Sequence, residues 1–178
     1  MTNRVAATVC AFASCHAYML LAKAQTVAAT RFVSMQNHYN LVYREEEREM
    51  IPQCIDQGVG VLPWSPLARG LLAGNRTREG EKLTPRAGTD PFGDSLYDPA
   101  VDFAVVDRVS EVAAARGVPA AQVALAWLFH KPGVTAPIVG ATKLGHLEAA
   151  LSAESLGLSE DEIARLEEPY VPHAVSGH

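Results

Sequence analysis

The feature that most constrains the fold is an alternation. Short apolar runs with little polar interruption recur along the chain, each followed by a stretch with helical spacing. The runs are Val5 to Ala13, Arg31 to Gln36 (RFVSMQ), Val59 to Trp64 (VGVLPW) and Thr135 to Val139. Nearly continuous apolar strands are those of a parallel sheet covered on both faces. Strand and helix in alternation predict βαβ units and an α/β fold.

The intervening helices have readable ends. Ser14 to Ala29 reads as a helix, with Leu20, Leu21, Ala24, Val27 and Ala28 at helical spacing. A second is expected over Arg44 to Gln57. Glu45, Glu46 and Glu47 lie in its first turn, as a solvated acidic start. Pro52 implies a late start or a kink, and Gly58 sits where a C-cap belongs. Ser65 to about Pro99 reads as one long loop, of the kind that is usually functional or mobile. Pro99 to Arg116 is an amphipathic helix with Val101, Val105, Val109, Val112 and Ala113 on one face, ended by Gly117. Pro119 to His130 is expected as a further helix with Pro in its first turn, Lys143 to Leu151 as a short one, and Ser159 to Glu168 as the last. Ser159 with Glu162 forms a capping-box pattern.

Composition narrows the classes. The chain has 178 residues, 48% hydrophobic and 20% charged, with a net charge of −5. Disorder is excluded by that balance, and the absence of a basic block argues against nucleic acid. Three cysteines, Cys10, Cys15 and Cys54, show no CxxC spacing. They argue for small buried residues in a reducing cytoplasm rather than a disulfide scaffold or zinc site. Arg4, the run from Val5 to Ala22 and Ala22-Lys23-Ala24 also outline a secretory signal, which His16 and Tyr18 interrupt. A membrane span would need about 20 uninterrupted apolar residues.

Parallel sheets of this kind bind ligands at the carboxyl ends of their strands. Those ends hold Ser14 and Cys15, Gln36 to Tyr39, Trp64 to Gly70, and Gly140 to Lys143. Gly140-Ala141-Thr142-Lys143 follows a strand and opens a helix, a turn whose N–H groups, hydroxyl and ammonium can hold a phosphate. The competing reading is a plain turn. Trp64 can stack on a flat ring, Ser65 can hydrogen-bond a phosphate or ribose, and Arg69 can fork onto a phosphate. The competing reading is a Trp plugging the end of the fold and a solvated Arg. The histidines show no metal spacing, and no metal is expected. His38 lies just past a strand end, where a structural role is the more ordinary one. His173 and His178 read as a solvated tail. No nucleophile elbow or Walker loop is present.

Four segments in order carry a resemblance: RFVSMQNHYNLVYREEEREMIPQC, GVGVLPWSPLARGLLAGNR, PIVGATKLGHLEAAL and LSEDEIARLEEPYVPHAVSGH. Together they resemble the aldo-keto reductases, and most of all the bacterial branch that is similar to potassium-channel β subunits. The resemblance covers residues 13–178, with 1–12 matching poorly. It implies a single partial domain: the C-terminal half of a (β/α)8 TIM-type barrel, about four βα units corresponding to strands five to eight. A complete barrel takes about 250 residues.

The resemblance also implies roles. The family binds NADP(H) and reduces aldehydes and ketones. Trp64 matches the aromatic that stacks on the nicotinamide. Gln36 and Ser14 match the positions that hold its carboxamide. Ser65, Pro66, Leu67 and Arg69 match the pyrophosphate loop. Gly140, Thr142 and Lys143 match the segment holding the 2′-phosphate and adenine ribose. His146 stands where the family has Gln or Arg, and Ala149 and Ala150 where it has the Glu and Asn that contact adenine. The family's catalytic Asp, Tyr, Lys and His come from its first four βα units and have no counterpart here. The expectation is an oxidoreductase fold with a carbonyl substrate if active, inactive alone for want of that tetrad. The alternatives are a non-catalytic NADP(H)-binding or regulatory module and a truncated gene product. Self-association or a complementing N-terminal half-barrel is the expected partnership, with neither nucleic acid nor membrane.

Overall fold

The computed structural model describes residues 7–10, 19, 22, 23, 26, 27 and 31–174. Ser14, Cys15, His16 and most of the helix expected over 14–29 lie outside the described residues. Met19, Ala22, Lys23 and Thr26, which lie within that stretch, are helical.

A parallel sheet forms in chain order. Strand β1 (Ala7–Cys10) pairs with β2 (Phe32–Gln36), and β2 pairs with β3 (Gly60–Val61). Parallel pairing continues past the short β3 through a bridge between His38 and Trp64. The backbone N–H of Trp64 donates to Asn37 O at 2.8 Å. Leu62 and Trp64 donate toward β2 whereas Val61 donates to Gly133 O, so the N–H that Pro63 lacks is one that would face the 134–139 segment.

The strand expected over Thr135 to Val139 is not a regular strand. The segment does run beside β3: Val134 bridges Val61, Thr135 N donates to Val61 O at 2.8 Å, and Ile138 N donates to Pro63 O at 2.8 Å. Pro137 removes a donor from the middle of it, which breaks the repeat. The approach is close, because a Cβ on Gly60 would strike Thr135 Oγ1. Glycine keeps that spacing.

Helices follow the strands but leave part of the sheet open, with Val33 of β2 51% exposed. Helix α1 (Met50–Gln57) starts late, as Pro52 requires, and Gly58 caps it at φ +63°. The acidic start expected before it is a separate 3-10 turn over Glu45–Glu47. Glu45 is buried there, so the solvated reading fails. The long loop also contains structure: a 3-10 segment over Ala68–Ala73 and two short helices, α2 (Pro85–Gly88) and α3 (Pro91–Leu96). Helix α4 spans Pro99–Arg116, as its apolar spacing and flanking signals indicate; the Asp98 side chain accepts from Ala100 N, and Gly117 closes it at φ +66°. Helix α5 (Ala120–His130) has Pro119 as its N-cap rather than inside its first turn. Helix α6 spans Leu144–Ser152 behind Lys143, and α7 (Glu160–Glu167) carries the capping box of Ser159 and Glu162. None of the described helices is by itself long and apolar enough to cross a membrane.

The core lies between α4, α5 and the segment after β2. Val123 through Leu128 are all buried, so α5 is enclosed around its whole circumference there. Trp127 meets Tyr39 at a ring separation of 5.3 Å. A charged cluster closes this side. Arg44 pairs with Glu47 at 2.7 Å and Glu167 at 2.9 Å, and Lys131 reaches the same two carboxylates at 3.0 and 3.1 Å. Trp127 Nε1 donates to Glu167 at 2.7 Å, and the Tyr39 hydroxyl to Glu47 at 2.5 Å. Burial alone would raise the Glu47 carboxyl, but the hydrogen bonds from Arg44, Tyr39 and Lys131 hold it below its ordinary value.

The tail is docked rather than solvated as far as the described residues run, to Ala174; His178 lies outside them. Tyr170 donates its hydroxyl to Glu45 at 2.8 Å, and the His173 backbone N–H donates to the same oxygen at 2.8 Å. The His173 ring lies 2.9 Å from the buried Asp102 carboxylate. Burial, countered by His173, leaves the Asp102 carboxyl raised to about 6.

Candidate functional site

The residues at the carboxyl ends of β2 and β3 form one assembly. Asn37 to Tyr43 leave β2 as a buried turn, in which Asn40 and Tyr43 exchange backbone hydrogen bonds at 3.1 Å. That turn places His38 under Trp64. The two rings stack at 4.2 Å and 15°, and Tyr43 stacks on the opposite face of His38 at 4.1 Å and 11°. One face of Trp64 is therefore covered by His38, and the residue remains partly exposed. Burial first, and the charge of His173 second, lower the His38 ring to about 3, so it is neutral at pH 7.

The segment after Trp64 is strained. Ser65, Ala68 and Arg69 all have positive φ, at 54°, 48° and 54°. Non-glycine residues seldom adopt this region, and such clusters mark functional loops. Specific contacts hold them there. Asn40 Nδ2 donates to Ser65 O at 3.0 Å, Arg69 N donates to Ser65 Oγ at 3.1 Å, and Asn75 Nδ2 donates to Arg69 O at 3.0 Å. Gly70 at φ +96° completes the turn, because a Cβ there would lie 2.5 Å from Asn75 Nδ2.

The long loop folds back onto this segment. Tyr97 brings its hydroxyl 2.9 Å from His38 Nε2 and 3.2 Å from Ser65 Oγ, and it accepts from Asn40 Nδ2 at 3.2 Å. Burial pushes that hydroxyl up to about 12. Asp90 holds the Arg69 guanidinium, which also lies over the Phe92 ring at 5.4 Å. The Arg69 side chain is thus partly buried, with its Nε held by a carboxylate.

The other expected residues are placed as follows. Gln36 ends β2 and is half-buried. Pro66 is buried, and Leu67 packs against the core. Gly140, Thr142, Lys143 and His146 are exposed. They follow Ile138, whose bond to Pro63 sets the segment beside the Trp64 end of β3. Among the described residues no side-chain hydrogen bond joins Thr142 or Lys143 to the Trp64–Arg69 segment. Asn40, Asp90 and Tyr97 went unnoticed as site residues. Asn40 sits inside a quoted motif, but Tyr97 and Asp90 lie in the long loop, where no periodicity marks them. No group of three or more His, Cys, Asp or Glu among the described residues is arranged to hold a metal.

A parallel α/β unit with a half-open aromatic and a strained turn at its strand ends belongs to the class of α/β barrel proteins. The chain belongs to the aldo/keto reductase family, whose profile matches residues 11–170. An aldo-keto reductase of Metarhizium robertsii is 50% identical over 158 residues, covering 87% of this chain and 41% of that protein. Versiconal hemiacetal acetate reductase of Aspergillus parasiticus is 44% identical over 148 residues, covering 82% and 42%. The crystal structure of the thermostable aldo-keto reductase Tm1743, in complex with the inhibitor epalrestat, superposes with a TM-score of 0.60 at 27% identity over 85% of this chain and 44% of that one. The chain thus spans about two fifths of the length of the curated relatives it matches.

Proposed function

We propose that this chain is the cofactor-loop portion of an NADPH-dependent carbonyl reductase, acting on a small aldehyde or ketone when complete. The observation that carries the reading is the Trp64 ring, backed by His38 on one face and partly exposed at a strand end. It suits one flat heteroaromatic ring. The strained Ser65–Gly70 turn suits a pyrophosphate through the Ser65 hydroxyl, since the N–H groups of Ala68, Arg69 and Gly70 are spent on Ser65 O, Ser65 Oγ and Leu67 O within the turn. Gly140, Thr142 and Lys143 suit the 2′-phosphate from an exposed helix start. Gln36 suits the carboxamide, as Ser14 does by resemblance alone. The pairing of Arg69 with Asp90 favours a structural role for that side chain over a phosphate fork. Ala149 and Ala150 offer adenine no hydrogen bond, so affinity rests on the nicotinamide and phosphate ends.

NADPH, when bound, supplies the hydride. This chain's residues would hold it: Trp64 against the flat ring, and the Ser65 hydroxyl on a phosphate. No residue matched to the family's catalytic tetrad is present to give the product oxygen its proton. Tyr39 donates to Glu47 deep in the charged cluster, and His38 is stacked between two rings, so neither can replace that acid. The 178 residues alone therefore bind without turnover.

The exposed apolar side chains of α6 suit a complementing N-terminal half of the barrel as partner: Leu144 is 70% and Leu151 62% exposed. The buried free thiol of Cys54 suits a reducing cytoplasm. Titration with NADPH while following tryptophan fluorescence tests the reading. Quenching is expected in the wild type and its loss in Trp64→Ala; no quenching at millimolar NADPH overturns it.

A further inference from the structure

The hydrogen bonds behind Trp64 have a direction, and it ends on Ser65. Counting donors and lone pairs from the buried end establishes it. Asn40 Oδ1 accepts from Val42 N at 3.0 Å, which fixes the amide's orientation. Asn40 Nδ2 has three acceptor-side neighbours and two protons: they go to the nearer ones, Ser65 O at 3.0 Å and the Tyr97 hydroxyl oxygen at 3.2 Å, rather than to His38 Nε2 at 3.4 Å. The His38 ring is neutral and carries one proton. Its Nδ1 is buried without a partner, whereas Nε2 lies 2.9 Å from the Tyr97 hydroxyl. A bare buried lone pair is more readily tolerated than a bare buried N–H. The partner pattern therefore assigns the proton to Nε2, which donates to Tyr97. Tyr97 Oη then accepts twice, from His38 and from Asn40, and its own proton goes to Ser65 Oγ at 3.2 Å. Ser65 Oγ also accepts from Arg69 N. Both of its lone pairs are engaged, and Ser65 stays partly exposed.

We propose that Ser65 is an obligate donor, whose hydroxyl proton is directed outward to an acceptor-only oxygen of a bound pyrophosphate, and that His38 and Tyr97 are positioning residues that enforce this. The inference rests on the cofactor reading above and adds a polarity to it. The side chain selects a phosphate oxygen over a ribose hydroxyl that needs a partner for its own proton. Deleting the Tyr97 hydroxyl frees a lone pair on Ser65 Oγ and removes the bond that fixes the rotation of its hydroxyl.

The test is a double-mutant cycle on the full chain, with NADPH and inorganic pyrophosphate as separate probes, followed by calorimetry. Tyr97→Phe keeps the ring and its packing, and Ser65→Ala removes the donor. Each is expected to weaken both probes roughly tenfold, the worth of one hydrogen bond to a charged group. The double variant is expected to lose no more than Ser65→Ala does, because Tyr97 acts through Ser65. A loose structural effect would instead add. His38→Phe, which keeps a ring between Tyr43 and Trp64 but donates nothing to Tyr97, is expected to lose less than Tyr97→Phe. Additive losses, or no loss in Tyr97→Phe, overturn the inference while leaving the cofactor reading standing. Pyrophosphate binding with the expected coupling, but no NADPH binding, supports the inference and defeats the cofactor reading. Binding of neither probe by the wild type overturns both.

Discussion

The two sides of the molecule are held together by different physics. On one side α5, the turn after β2 and the docked tail enclose Trp127 and tie it to Glu167, with Arg44 and Lys131 bridging two carboxylates. On the other side the 134–139 segment lies beside β3 and α6 packs on α5, with apolar side chains turned to solvent and no residue of α6 buried. The first side is complete in itself. The second has the composition of an interior and the exposure of a surface. Stability and binding should therefore separate: substitutions on the closed side should unfold the chain, and those on the open side should change what it associates with.

The largest expected effect is at Trp127. Trp127→Ala empties a fully buried site and strips Glu167 of a donor, at a cost of about 3–5 kcal/mol, read from the urea midpoint. If the loss is below that of an ordinary surface change, the closed side is not the stabilising one.

Acid should reveal the buried ring behind Trp64 next. The unfolded chain takes up a proton at the ordinary histidine value of 6.5, while His38 in the fold refuses it until about 3. Its contribution is complete above pH 6.5 and declines as the pH falls toward 3, by at most about 1.4 kcal/mol per pH unit. Asp102, raised to about 6 chiefly by burial, works in the opposite direction between 6 and its ordinary 3.8. Subtracting the stability curve of His38→Phe from that of the wild type isolates the histidine slope. A flat difference curve would mean the ring protonates in place.

Arg44→Ala should cost roughly 2 kcal/mol, less than the 3–5 typical of breaking a buried pair, because Lys131 still faces both carboxylates. Chemical denaturation at low and high salt checks it, with little salt dependence expected at so enclosed a cluster. The smallest effect belongs to the open side. Leu151→Asp on α6 should change stability by less than about 0.5 kcal/mol, yet reduce association measured by sedimentation. A large destabilisation there would show that α6 already packs as core.

Much of this contrast was legible before the structure. Pro99 and Gly117 bound α4, and Ser159 with Glu162 capped α7, because these ends are decided by local chemistry that the sequence displays. The position of Trp64 at a strand end was readable because it closes an apolar run directly. What escaped was set by distance along the chain. Glu45 looked solvated because its partners, Tyr170 and His173, lie 125 and 128 positions away. Tyr97 reaches His38 across 59 positions and Asn40 across 57, from a region with no periodicity to read. Arg69 reads equally as a phosphate fork or a solvated cation because its partner Asp90 stands 21 positions on. The strand expected over Thr135 to Val139 failed on a local residue, Pro137, whose missing donor outweighs an apolar run.

The docked tail has a consequence in time. Its bonds from Tyr170 and His173 to Glu45, with that of Glu167 to Arg44, close loops of more than 120 residues. Closing such loops costs entropy before any contact repays it, so they form late, after local helices such as α4 and α5 have consolidated. The charges around Glu45 and Glu47 must wait in partial solvation until then. Refolding followed at the tail should lag behind refolding followed at Trp127, and the last event to complete the molecule is the arrival of its own end on a turn made near the beginning.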